Sequence, residues 1–471
     1  WIHYFLETPL KKYTPLITER IQHELQRRIL RSMLEHDDYW YMGFGERVPN
    51  NWNPWIVSNW LPVILLMQEG PERSESVWKA MKVLDNFLMH YPSDGGCDEG
   101  PGYWGRAGAS LFDCLYQLEG ATRGGINPYE TPLIRRMGQY IYRMHIHENW
   151  YVNFADGSPQ RKHPPELIYR YGKAINDSNM MGFACYLFQH QSEKIRNPRI
   201  PSHSPLGVRY IPGLFVRKEM EQCSHTYTPV MQYFFPDLEV MVAREEISGK
   251  GFFAAIKGGF NDESHNHNDA GSFVLYYKNR PLVIDAGVGT YTSKTFGPDR
   301  YTIWTMQSAY HNLPTINGEM QLHGAAYCAE DVRYSATGKR ATFSIDISGA
   351  YGPEAEAKTW QRSLVLNRKK GEVNLADKYS LKQLITPPVW HFMLAHPPDT
   401  GENGTVRIST GKESLLLVAD RPMEISAEVI PLEDSRLRKV WGEQIYRLNM
   451  TYKESAPQDA VTFTFKPIEK E

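Results

Sequence analysis

A helical N-terminal half followed by an antiparallel β-sandwich is the fold this sequence predicts, and three observations predict it. Apolar residues recur at helical spacing through roughly the first 190 residues. A proline-rich stretch without period, QSEKIRNPRIPSHSPLGVRYIPG, spans about 190–212 and reads as an interdomain connection. Beyond it the period drops to two, the signature of strands.

The helical half is built from four stripes. Ile21, Leu25, Ile29 and Met33 form the first, behind Pro15, and Met81, Leu84, Phe87 and Leu88 the second. Leu111, Phe112, Leu115, Tyr116 and Leu118 form a third, and Leu133, Ile134, Met137, Tyr140, Ile141 and Met144 a fourth. Gly/Pro-rich loops such as SDGGCDEGPGYWG (93–105) and GATRGGINPYETP (120–132) separate them. Helix pairs with long loops at one end describe a solenoid or toroid, without a visible sequence repeat. In the second half Phe273, Leu275 and Tyr277 alternate, as do Phe343, Ile345 and Ile347, and Val461, Phe463 and Phe465. The runs SLVL (363–366) and LLLVA (415–419) add buried strands, and the turns 277–281 and 368–371 fall at hairpin spacing. The expected division is a helical domain over 1–195 and a sandwich over 210–471.

Composition bounds the function. The 471 residues are 41% hydrophobic and 23% charged, an ordinary globular balance for a chain of more than one domain. A net charge of −2 supplies no global field for nucleic acid or an anionic membrane. No apolar run reaches the roughly 18 residues of a membrane span. Five cysteines, widely spaced and without CxxC, make a disulfide framework an unfavoured reading. The 12 Trp and 28 Tyr suit either a large aromatic core or sugar-stacking clefts. The chain starts at Trp1 without a signal-like stretch, which reads as a trimmed N-terminus, and the sequons at Asn403 and Asn449 are given no weight.

Three clusters carry chemistry. In SHNHNDAGSFVLYYKNRPLVIDAG (264–287), His265, His267 and Asp269 share one face if the segment is a strand, and the hairpin returns Asp285 beside them. With His311 from SAYHNLPTING, two imidazoles and a carboxylate make a zinc-type ligand set, although a lone strand histidine is ordinarily a hydrogen-bonded core residue. In NWNPW (51–55), the asparagines either cap a helix, with Pro54 in its first turn, or present an amide to a carboxyl group. In CDEGPGYWGRAG (97–108), the glycines match neither phosphate-loop pattern. Tyr103 and Arg106 share a face if a helix begins near Pro101, and the guanidinium then favours the phenolate, against the plainer reading of a packing tyrosine.

Taken together, NNWNPW (50–55), DGGCDEGPGYW (94–104), HNHNDAGSF (265–273), VIDAGVGTY (283–291) and SAYHNLPTING (308–318) resemble the heparinase II/III-like polysaccharide lyases. That resemblance implies an incomplete (α/α) toroid joined to an antiparallel β-sandwich. It implies β-elimination on an anionic uronate polysaccharide, giving a 4,5-unsaturated product. Carried over residue by residue, Tyr103 resembles the catalytic tyrosine and His265 the catalytic histidine. Asn51 resembles the asparagine that neutralises the substrate carboxylate, with Asn53 as rival. His267, Asp285 and His311 resemble the ligands of a structural zinc, and Arg106, Tyr291 and Arg300 are expected to contact substrate. Relatives act on heparin or heparan sulfate, alginate, hyaluronan, chondroitin and other uronates. A periplasmic or secreted location is implied, a homodimer is compatible with it, and neither nucleic acid nor membrane is a partner. Trp52 stands where several relatives carry a histidine, and the first toroid helices are short or absent. The rival readings are a toroid hydrolase using Asp94, Asp98 and Glu99, and a non-catalytic glycan-binding protein.

Overall fold

The computed structural model describes residues 1–190, 206–401 and 404–468. The chain divides into two compact units: Trp1–Cys97, Tyr103–Ile141 and His163–Thr228 form the first, and Asp98–Gly102, Tyr142–Lys162 and Pro229–Glu471 the second. Most of the expected connection at 190–212, and the sequon at Asn403, lie outside the described residues.

The first unit is helical. Trp52–Met67 is its central helix: apolar on every side, it buries Val57, Trp60, Leu61 and Ile64. It packs against Gly70–His90 and Gly108–Ala121, while Pro165–Ala174 packs against Ser178–His190 and Ile211–Glu221. Each expected stripe lies on a helix. Along Gly70–His90 the buried residues Ser76, Ala80, Val83, Leu84 and Phe87 keep the 3.6-residue period. The loop before Tyr103 needs glycine at 95, where φ is +78° and a Cβ would stand 2.4 Å from the backbone carbonyl carbon of Arg136.

Two expectations change here. Ile211–Glu221 is a helix, with Pro212 in its first turn and Gly213, Val216 and Met220 buried, so the sandwich strands begin only at Gln232. The proline that read as a linker mark is a helix start. Cys185 and Cys223 form a disulfide with Cα atoms 6.3 Å apart. Their separation of 38 residues carries no motif, and helix packing alone brings them together.

The second unit is a sandwich of two antiparallel sheets. One runs Glu424–Pro431, Gln444–Thr451, Val389–Leu394, Arg280–Val283, Phe273–Tyr277, Phe252–Lys257, Val240–Arg244, Gln232–Phe235. The other runs Glu330–Ala336, Arg340–Asp346, Ala357–Asn367, Glu372–Leu381, Gln458–Pro467, Ser414–Ala419, Thr405–Ser409, Asp399–Thr400. Met241, Phe273, Leu275 and Phe392 of the first face Phe343, Leu364, Leu375 and Phe463 of the second in one core. Val461, Phe463 and Phe465 alternate with outward residues as expected. Phe273–Tyr277, by contrast, is buried on both faces. The segment 142–162 supplies the reason: Trp150 packs edge-on against Tyr276, and Arg244 donates to the carbonyls of His145 and Ile146. Lys278 and Asn279, with φ of +49° and +63°, make the two-residue turn that returns the chain toward Asp285.

Candidate functional site

His265 and His267 do not lie on a strand. The first strand residue after them is Phe273, and His265 sits in a turn with φ of +59°. The left-handed backbone at 265 breaks the alternation, so the two imidazoles are aimed separately rather than in parallel. Both are nonetheless gathered by one carboxylate. Asp156 accepts from His265 Nδ1 (2.7 Å) and Tyr291 Oη (3.1 Å) on Oδ2, and from His267 Nε2 (3.1 Å) and Arg300 Nη2 (2.8 Å) on Oδ1. Burial alone would raise this carboxyl, but the hydrogen bonds from His265 and His267 and the Arg300 charge hold it well below the usual carboxylate range.

The other face of His265 meets a second acid, with Nε2 standing 3.1 Å from Glu99 Oε2. Burial lowers the affinity of this imidazole for its proton, yet the hydrogen bonds to Asp156 and Glu99 outweigh that and raise its pKa to about 9. Geometry requires the same. A neutral ring would turn a lone pair toward one of the two carboxylates, whereas an imidazolium donates to both. Glu99 is held in place by its glycine-rich segment: Gly100 has φ of +81°, and a Cβ there would stand 3.0 Å from the Phe154 carbonyl oxygen. Neighbouring Asp98 is raised to about 6 by burial and by the charge of Glu99.

Behind this pair lies the candidate metal centre. Ligand atoms of His267, Asp285 and His311 lie within 4.8 Å of one another, and all three residues are buried. Each spends one polar atom on an orienting partner. His267 Nε2 faces Asp156, His311 Nε2 donates to the Thr305 carbonyl at 3.2 Å, and Asp285 Oδ1 accepts from Gly287 N at 2.7 Å. The atoms left over, His267 Nδ1, His311 Nδ1 and Asp285 Oδ2, are buried without a hydrogen-bond partner. His311 Nδ1 approaches Asp285 Oδ2 only to 3.4 Å, longer than a good bond. Three orphaned donor atoms turned toward each other, each with its far side fixed, is the arrangement a bound divalent cation satisfies. Asp269, by contrast, pairs with buried Lys257 at 2.8 Å and belongs to the core.

In the helical unit, Asn51 stands at the N-cap of Trp52–Met67 and is buried. Asn53 is fully buried, and both hydrogens of its amide are spent on the carbonyls of Tyr41 (2.8 Å) and Val83 (2.9 Å). Tyr103 is half-buried in the short helix Pro101–Trp104, and its carbonyl accepts from the amides of Arg106 and Ala107. The helix ends before Arg106, whose guanidinium lies over the Trp55 ring at 4.4 Å.

Residues 234–454 match the family model described as Heparinase II/III-like, C-terminal. The sandwich is a heparinase II/III-like C-terminal domain. Solved structures resemble more of the chain. A heparan sulfate lyase, HepC from Pedobacter heparinus, superposes with a TM-score of 0.70 at 13% identity, covering 97% of this chain and 64% of its own. A heparinase III gives 0.67 at 14%, covering 93% and 63%. A second heparinase III gives 0.64 at 13%, covering 88% and 59%. The chain thus spans less than two thirds of the length of these proteins, and identities this low speak to fold. No curated protein sequence matches it.

Within the heparinase II/III-like domain, several sequence expectations find a different setting. Arg300 is buried and donates to Asp156 and to the carbonyls of Asn266 and Thr295, so it braces the acid. Tyr291 donates to Asp156 and stacks near the His265 ring. Asp156 and Glu99 were not anticipated as partners of His265. Asp156 lies 109 residues away in FADG, a stretch with no motif, and Glu99 was weighed only as a hydrolase carboxylate. The one available signal was physical: a buried imidazolium must have an anion, and Glu263 and Asp269, close to it in sequence, are bonded to Lys257 instead.

Proposed function

We propose that this chain is a polysaccharide lyase that cleaves a uronate-containing polysaccharide by β-elimination. The observation that carries the reading is His265, whose two ring nitrogens are clamped between Glu99 and Asp156 in a heparinase II/III-like domain. Elimination removes the C5 proton of a uronate and expels the oxygen on C4. The carboxylate on C5 makes that proton reluctant, so donors that stabilise the dianion-like intermediate lower the barrier. A histidine that carries its proton at both nitrogens is suited to donate and poorly suited to act as base. Tyr103 is then assigned both proton transfers, taking the C5 proton and delivering one to the leaving oxygen.

The fully spent amide of Asn53 favours Asn51 as the donor that neutralises the carboxylate. His267, Asp285 and His311 fit a structural zinc, which would supply a fixed cross-link between the turn at 267 and the loops at 285 and 311. The Cys185–Cys223 disulfide supports an oxidising compartment, periplasmic or extracellular. No helix among the described residues is long and apolar enough to cross a membrane.

A panel of uronate polysaccharides assayed for ultraviolet absorbance of a C4–C5 double bond tests the proposal. Product from one of them is expected, with Tyr103→Phe slower by roughly 10²–10⁴-fold. Full activity in that variant overturns the tyrosine assignment. A second reading rests on Asp98: a carboxyl raised to about 6 suits the general acid of a glycoside hydrolase. New reducing ends without ultraviolet absorbance would select it.

A further inference from the structure

The helical unit exposes an aromatic ladder that the proposed reaction does not use. Trp52 and Trp55 stand three apart on the first turn of Trp52–Met67, so they share one helix face, with ring centroids 5.0 Å apart. Trp40, from the short turn Trp40–Met42, meets Trp52 edge-on at 6.5 Å. A cation closes each end of the row. The Arg47 guanidinium lies 4.2 Å over Trp40, and that of Arg106 lies 4.4 Å over Trp55. Trp52, in the middle, is 44% exposed and Trp40 38%.

An interior use does not explain this row. Indoles that serve a core are covered, as Trp60 and Trp104 are in the same unit at 1% and 0%. Nor do the arginines need the rings as counter-charge, because an exposed guanidinium is well solvated in water. What the cation–π contacts do is hold two flexible cationic side chains flat, with their charges pre-positioned on the rings next to an exposed indole. Glu46 is the acidic residue beside Arg47 in sequence, and the start of the helix adds partial positive charge beneath Trp52.

We propose that Trp52, flanked by Arg47 and Arg106, is a binding subsite for an anionic polysaccharide. The apolar face of one sugar ring stacks on the Trp52 indole, and the carboxylate or sulfate groups of the adjoining sugars pair with the two guanidinium groups. The guanidinium groups lie over Trp40 and Trp55, the two rings that contact Trp52, within reach of sugars that adjoin the stacked one. Arginine's planar fork suits carboxylate and sulfate oxygens in pairs, so the subsite selects anionic chains over neutral ones. The idea rests on the lyase reading only for the class of polysaccharide.

The test measures dissociation constants in a Tyr103→Phe background, so that no probe is consumed. Heparan sulfate and hyaluronan oligosaccharides serve as anionic probes, dextran oligosaccharides as the neutral probe and single-stranded DNA as competitor. Trp52→Ala is expected to weaken the better anionic probe by about tenfold, the worth of one good stacking contact. Trp52→Phe should restore most of that loss. Arg47→Gln with Arg106→Gln should weaken binding and flatten its salt dependence. Binding of Trp52→Ala within twofold of the parent, equal binding of dextran, or DNA competing as well as the anionic oligosaccharides would each overturn the subsite. Because the readout is affinity, the two ideas fail separately. A wild type that forms no unsaturated product but loses affinity in Trp52→Ala removes the lyase reading alone. Product formation with unchanged affinity in Trp52→Ala removes the subsite alone.

Discussion

Replacing Asp156 by asparagine removes one charge and keeps the shape, and its consequences can be worked out from four contacts. The carboxylate is fully buried and serves His265, His267, Tyr291 and Arg300 at 2.7–3.1 Å. Arg300 suffers most, because its two remaining contacts are to carbonyls and its guanidinium stays charged in a buried site. Breaking a buried ion pair from one side costs about 3–5 kcal/mol, which in a domain this large lowers Tm by roughly 6–10 °C. His267 loses the acceptor that fixes its tautomer. A metal ligand deprived of its orienting carboxylate binds about 10–100-fold more weakly. Calorimetry and zinc competition with a chromophoric chelator read the two effects on one sample. Adding His267→Ala should abolish any further effect of Asp156→Asn on zinc, since both act through the same ring. An Asp156→Asn protein that melts with the wild type and retains zinc equally well would refute the claim that this acid joins the histidine pair.

His267→Ala should lower zinc content and thermal stability together; absence of zinc from metal analysis of the wild-type protein would remove the three-ligand proposal while leaving the lyase reading intact. A separate pH effect is expected from His391, buried between Thr315 Oγ1 and Asn449 Oδ1 at 2.7 Å each, whose pKa burial lowers to about 4. The unfolded chain binds this proton from about pH 6.5 downward and the folded protein does not, so stability is full above that pH and is lost as pH falls toward 4. The drop amounts to about 3 kcal/mol, and a His391→Gln variant should show a flatter acid limb in calorimetric melts; an unchanged limb counts against it.

How far the sequence reaches is clearest at the histidine segment. The ligand types of the candidate metal centre were legible, because His267, Asp285 and His311 sit in short motifs of unusual chemistry for an apolar sheet. Their geometry was not. The strand assumed for 265–269 is a turn and loop, since one left-handed residue at His265 undoes the alternation on which the reading depended. The same limit appears at Arg106, which follows a helix that ends at Trp104 and lays its guanidinium over the Trp55 ring.

By itself the sequence determined the helix stripes, the alternating strands and the hairpin turns. Those are local properties, set by backbone periodicity within a few residues. Only the tertiary structure decided that Asp156 and Glu99 hold His265, that Asn53 spends its amide inside the helical unit, that Arg300 braces an acid, and that Cys185 meets Cys223. A hydrogen bond or disulfide asks for one suitable atom at the right point in space. Any of dozens of carboxylates in the sequence could have supplied it, and chain folding selects which one does.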